Sequence, residues 1–148
     1  MTIAVRPLVA ADRAGWRPLW DGYLAFYRTA VADDVTDLTF RRLTRGGEPM
    51  GGFVATGAEG RIVGIVHWID HRSCWTAGDY CYLQDLFVEP GLRGGGVGRA
   101  LIEAVCAAAT ARGCSRVHWL THETNRDAMH LYDKVADRSG FVQYRRIL

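Results

Sequence analysis

The chain has 148 residues and a mass of 16.5 kDa, with 49% hydrophobic and 23% charged residues, which describes one globular domain over 1–148 and excludes a disordered or two-domain chain. Such a length buries roughly 70% of its unfolded surface, enough for a core without disulfides or a structural metal. A net charge of +2, from 18 basic and 16 acidic residues, lacks the electrostatic footprint of nucleic-acid or membrane-surface binding, so neither partner is expected.

Ile3 to Val9 alternates weakly and predicts a first strand, with Asp12 as the cap of a helix through about Tyr27. Trp16, Leu19, Trp20, Tyr23, Leu24, Phe26 and Tyr27 give that helix a wide apolar face. A second helix is expected over about Thr36 to Thr44, starting near Asp34 or Thr36. Phe53 to Thr56 and Arg61 to Ile69 read as strands joined by the Ala58, Glu59, Gly60 turn. Tyr80 to Val88 is another strand, stopped by Pro90, and Val97 to Arg112 has helical spacing with Gly113 just past its end. Arg116 to Thr121 returns to strand. This order implies a parallel pair with a right-handed crossover. A last helix over about Arg126 to Arg138 and a terminal strand over Phe141 to Ile147 complete an α/β (α+β) fold with a mixed sheet, in the order β-α-α-β-β-β-α-β-α-β.

Cys74, Cys81, Cys106 and Cys114 contain no CxxC pair and read as reduced thiols. With no stretch approaching 18 apolar residues and no leader pattern in Met1 to Ala14, a cytoplasmic location is expected. His67 and His71 are four apart, as are His118 and His122, but they fall on strands, so no metal is expected and satisfied sheet histidines are the preferred reading.

The densest signal is Arg93, Gly94, Gly95, Gly96, Val97, Gly98, Arg99, between a strand and the start of a helix. Four glycines in five positions imply unusual dihedrals or close approach of a ligand, because their entropic cost needs a return. Free amides and positive partial charge at a helix start suit phosphate oxygens; a loop that only turns the chain is the alternative. GxGxxG fails, with Arg99 and Leu101 in the third glycine position of the two registers, and a P-loop started at Gly91 meets Val97 and Gly98 where lysine and a hydroxyl are needed. What remains is Arg93-x-x-Gly96-x-Gly98.

That pattern resembles motif A of the Gcn5-related N-acetyltransferases (GNAT), whose signature is Gln or Arg, two residues, Gly, one residue, then Gly or Ala. Leu83 to Val105 and Trp119 to Arg145 resemble in particular the branch of histone/polyamine acetyltransferases and D-amino-acid N-acetyltransferases. The resemblance implies an acetyl-CoA-dependent N-acetyltransferase (an acyltransferase) acting on a primary amine of a polyamine, an amino acid or a protein such as a histone. A non-catalytic acetyl-CoA-binding sensor is the alternative. By the same resemblance, the backbone of Leu86, Phe87 and Val88 pairs with the pantetheine arm, and Arg93, Gly94, Gly95, Gly96, Val97, Gly98 and Arg99 surround the diphosphate. Asn125 contacts the cofactor or else caps a helix, and Tyr132 lies near the sulfur as the general acid. Relatives in the branch often associate through C-terminal elements, so a homodimer is expected.

A lysine-like amine near pKa 10.4 costs about 4.6 kcal/mol to neutralise at pH 7, whereas an α-amine near 7.8 costs only about 1 kcal/mol. The candidates for the base, acting through water, are Asp85 and Glu123, with Asp85 preferred because it sits just before the pantetheine-pairing stretch; a structural hydrogen-bond acceptor is the alternative for each. Gln84 stands where some polyamine-acetylating relatives have glutamate, which weakens a polyamine reading and supports the sensor. Trp20, Tyr23, Tyr27 and Trp75 are candidates for an acceptor wall, or for core.

Overall fold

The computed structural model describes residues 2–148, and its sheet runs β1 (Ala4–Pro7), β2 (Met50–Thr56), β3 (Ile62–His71), β4 (Tyr80–Val88) and β5 (Arg116–His118) in spatial order. The first four strands are antiparallel, while β4 and β5 are parallel. α1 (Arg13–Phe26) and α2 (Asp33–Thr44) cover one face, α3 (Val97–Ala111) covers the other, and α4 (Arg126–Val135) follows β5.

Trp16, Leu19, Trp20 and Leu24 form the buried stripe of α1, and Thr36, Phe40 and Leu43 that of α2. The two helices are tied by a 3.1 Å bond from Trp20 Nε1 to Thr36 Oγ1. Asp33 and Asp34 begin α2, and Arg41 and Arg42 end it, each sign set against the opposite end of the helix dipole. Asp12 precedes α1 but does not cap it. Its carboxylate turns back to accept from both Arg6 nitrogens and from the Val9 amide, because a bidentate guanidinium outcompetes one helix amide.

On the opposite face, Val97, Leu101, Ile102, Val105 and Ala109 bring α3 onto the sheet. Gly113, with φ +82°, closes this helix: its amide bonds to Thr110 O and that of Cys114 to Ala109 O, a Schellman ending. Arg112 pins the same end to β3. It is bidentate on Asp70 at 2.7 and 3.0 Å and lies over the Trp68 ring at 3.7 Å. The four cysteines are free thiols. Among the described residues no helix is long and apolar enough to cross a membrane.

At Gly52 of β2 a Cβ would stand 2.7 Å from Val66 O of β3. Backbone cannot step aside as a side chain does. Gly52→Ala is therefore expected to lower stability by about 1–3 kcal/mol, read as a lower urea midpoint at unchanged slope.

The terminal strand expected over Phe141 to Ile147 does not form, so the element order ends on α4. Phe141, Val142, Tyr144 and Ile147 are 77%, 77%, 94% and 83% exposed. β-Rich composition needs a ladder and an apolar face to pack on, and this segment has neither within the chain. α4 also stops at Val135, short of the expected Arg138.

Candidate active site

The site is organised by an irregularity in β4. His67 pairs with Asp85, yet the next residue, Trp68, pairs with Leu83, so Gln84 is the extra residue of a β-bulge. Cys81 and Leu83 belong to the α3-side core, whereas Phe87 belongs to the α1/α2-side core. The bulge changes the phase of the strand, turns Asp85 toward α1 and leaves Gln84 exposed. Pairing with β5 ends at Tyr82 and His118. From Leu83 onward β4 has an edge that β5 does not cover.

Glu89 N bonds to Val63 O, so the alternation of an antiparallel ladder directs the Phe87 backbone toward β3 and those of Leu86 and Val88 toward the open edge. Phe87 contributes its ring to the core instead. Val88 O accepts from Arg93 Nε at 3.1 Å, and the Arg93 guanidinium lies 5.5 Å from the Phe26 ring centroid and 5.1 Å from that of Phe87. Arg93 thus ties the glycine loop to β4 and α1.

Gly94 and Gly96 have φ of +84° and +88°, a region L-residues avoid, and Gly96 is the N-cap of α3. The first bond of the helix runs from Ala100 N to Gly96 O. The amides of Val97, Gly98 and Arg99 consequently have no acceptor inside α3. Gly94, Gly95 and Gly96 are exposed, and a Cβ built on Gly94 or Gly96 meets nothing within 4 Å. Arg99 is exposed beside them.

Asp85 is 8% exposed and accepts from His67 Nδ1 at 2.9 Å. Three phenols gather near this carboxylate. Burial first, and the Asp85 charge second, push Tyr23, Tyr27 and Tyr82 above the ordinary tyrosine value. Tyr132, on α4, packs edge-on against Trp119 with centroids 5.5 Å apart. Burial, followed by the neighbouring Tyr27, pushes it up to about 12. Asn125 occupies the N-cap position of α4, but its side chain does not cap: Nδ2 donates to Thr121 Oγ1 at 3.1 Å. Glu123 is exposed on the loop after β5.

Of the expected aromatic wall, Tyr23 and Tyr27 reach the Asp85 cluster, Trp20 is core, and Trp75 is 77% exposed on the β3–β4 loop. Tyr82 and the contacts of His67 with Asp85 and with Trp16 were not singled out by sequence reasoning, which read Trp16 only as part of an apolar helix face. The signal available for them was the polar pair Gln84-Asp85 interrupting an apolar strand.

The model of the Acetyltransferase (GNAT) family matches residues 16–136. The chain belongs to the GNAT family. It is 34% identical over 145 residues to the D-amino-acid N-acetyltransferase HPA3 of Saccharomyces cerevisiae, covering 97% of this chain and 90% of that protein. It is 32% identical over 111 residues to the thialysine N-epsilon-acetyltransferase of Bos taurus, covering 75% of this chain and 55% of that one. Among solved structures, the ribosomal-protein-alanine N-acetyltransferase of Brucella melitensis biovar Abortus 2308 superposes with a TM-score of 0.83 at 20% identity, over 99% of this chain and 100% of the other. AAC(6')-Iy in complex with a CoA bisubstrate analogue superposes at 0.85 and 20%, over 100% and 99%. The fold is that of GNAT acetyltransferases, and the protein is an N-acetyltransferase.

Acetyl-CoA is the acetyl donor of this family. Two features of the chain fit it. Unpartnered amides at the start of α3, approached by left-handed glycines with open space above them, suit a diphosphate. The edge of β4 left uncovered by β5 offers Leu86 and Val88 backbone groups to an extended amide-bearing arm.

Proposed function

We propose that this chain acetylates the primary amine of a small cationic molecule, an amino acid or a lysine-like compound, with Asp85 as proton acceptor and Tyr132 as the hydrogen-bond donor to sulfur. The observation that carries the reading is one nearly buried carboxylate beneath three phenols, next to an open strand edge. D-Amino acids and thialysine, named for the relatives, are small amines of this kind.

Val97, Gly98 and Arg99, with Gly94 to Gly96, hold the diphosphate through backbone amides. Leu86 and Val88 align the arm, and Asn125 borders it. Bound there, acetyl-CoA supplies a thioester carbon that accepts an amine. Aromatic faces and a carboxylate favour an incoming ammonium. The bound ammonium first gives one proton to solvent, and the neutral amine so formed attacks; Asp85 takes the second proton as nitrogen commits its lone pair, the stage at which the N–H becomes acidic enough for a carboxylate to remove it, and the departing thiolate takes its proton from solvent.

Tyr132 keeps its proton at Oη. A phenol at about 12 stabilises sulfur by donating a hydrogen bond, because full transfer to a thiolate whose conjugate thiol is near 8.5 would run about 5 kcal/mol uphill. Gln84, exposed on the bulge, is not positioned as a substitute base, so its lack of basicity does not favour the sensor.

The test is CoA-thiol release across D- and L-amino acids, thialysine, polyamines and a lysine peptide. Turnover is expected on amino acids or thialysine. Tight acetyl-CoA binding with no amine acetylated would instead establish the sensor.

A further inference from the structure

Trp16 of α1 and His67 of β3 are 0% and 2% exposed, and they meet at 2.9 Å through Trp16 Nε1 and His67 Nε2. An indole N–H can only donate. His67 Nε2 must therefore offer its lone pair, and the ring carries its proton on Nδ1, the atom 2.9 Å from Asp85 Oδ2. The opposite tautomer would set two N–H groups against each other in a buried site and leave the carboxylate without a donor.

We infer that Trp16 and His67 are positioning residues: the indole locks the imidazole tautomer, and the imidazole holds one oxygen of Asp85 so that the other stays turned toward the phenols. The chain of contacts spans three elements. His67 sits opposite Asp85 in the β3–β4 register, immediately before the bulge that turns the carboxylate toward α1. Trp16 cannot swing away, being stacked on Trp20 at 5.6 Å and packed on Phe40 at 4.8 Å. A side chain on a two-bond stem, as in Asp, rotates unless one oxygen is held, and an acceptor misplaced by a fraction of an ångström loses rate. His67 Nδ1 holds Asp85 Oδ2 at 2.9 Å, and Tyr23 interacts with the same carboxylate from α1.

The inference rests on Asp85 as proton acceptor, and the experiment separates the two. Long-range ¹H–¹⁵N correlation on the full chain is expected to show His67 as the Nδ1-protonated neutral ring; an Nε2-protonated ring overturns the inference. His67→Leu should lower kcat by about 10²-fold with the affinity for acetyl-CoA kept, whereas His67→Gln should recover most of that loss, since its amide can donate to Asp85 and accept from Trp16. Trp16→Phe removes only the lock, and is expected to cost about fivefold in kcat and to give a mixture of His67 tautomers. Folded, acetyl-CoA-binding His67→Leu with wild-type kcat overturns the inference while leaving the Asp85 reading intact. Wild-type kcat in Asp85→Asn overturns the Asp85 reading and the catalytic role of the pair with it. Should His67→Leu not fold, the spectrum and Trp16→Phe decide.

Discussion

Asp85→Asn is expected to lower kcat by about 10²- to 10³-fold, equivalent to about 3–4 kcal/mol of barrier, with the thermal midpoint and the affinity for acetyl-CoA essentially unchanged. The asymmetry follows from where the carboxylate stands. Asparagine has the same shape, and its carbonyl oxygen can still accept from His67 Nδ1, the bond now made at 2.9 Å. What it loses is the capacity to take a proton. Asp85→Ala would be a poorer probe, since it strands the buried His67 donor and costs about 1–3 kcal/mol of stability besides. The measurement is kcat with both substrates saturating, at a pH where the acceptor amine is mostly charged. The fold-loss should be similar for a lysine-like amine and an α-amine, because the cost of neutralising the free amine, about 4.6 and about 1 kcal/mol at pH 7, precedes the step at which Asp85 acts and is shared by wild type and variant. Glu123→Gln provides the contrast. Glu123 is exposed on the loop after β5, so the kcat of this variant should stay within about twofold of wild type, the small change typical of an exposed site. The opposite outcome, loss with Glu123→Gln and none with Asp85→Asn, would transfer the role to the loop.

Local signals carried far in this chain because most of its elements obey local rules. The strand at Tyr80–Val88 is bounded by Pro90, α3 by the glycine run and Gly113, and the apolar stripe of α1 by its helical spacing. Each is a property of a short window. The terminal segment fails for a complementary reason: Phe141 to Ile147 has the composition of a strand, but a strand exists only with a partner, and composition does not supply one. The bulge at Gln84 was equally out of reach. An alternating pattern predicts which face a residue occupies only while the register is unbroken, and one inserted residue reverses every later assignment. The family resemblance put the backbones of Leu86, Phe87 and Val88 together on the ligand side, whereas the Phe87 amide faces β3 and its ring faces α1. The contact of His67 with Asp85 joins residues 18 apart through that same broken register. The glycine loop, in contrast, was legible because its chemistry is backbone chemistry: φ of +84° at Gly94 and +88° at Gly96 can be anticipated from residue type alone.

Tyr132→Phe is expected to reduce kcat by about 10²-fold while the fold and acetyl-CoA affinity persist. The ring contributes to packing against Trp119 and the α3-side core, and phenylalanine keeps that contribution. Only the hydroxyl is removed. A phenol pushed up to about 12 remains protonated through the range in which the enzyme can be assayed, so its contribution is present at every lower pH and is lost only as pH rises through about 12. Tyr132→Phe should thus lower the whole pH–rate curve without moving its midpoints. Loss of a group that titrates within the assayed range would remove a limb instead. Chemistry must limit turnover for the comparison to read the hydroxyl, which pre-steady-state acetyl transfer at saturating substrate secures. An acetyl donor with a better leaving group sharpens the test: when the departing atom carries less basic charge it needs less help from a hydrogen bond, and the gap between wild type and Tyr132→Phe should narrow. An equal gap with both donors would show that the hydroxyl acts on something other than the departing sulfur, and unchanged kcat would remove Tyr132 from the chemistry altogether.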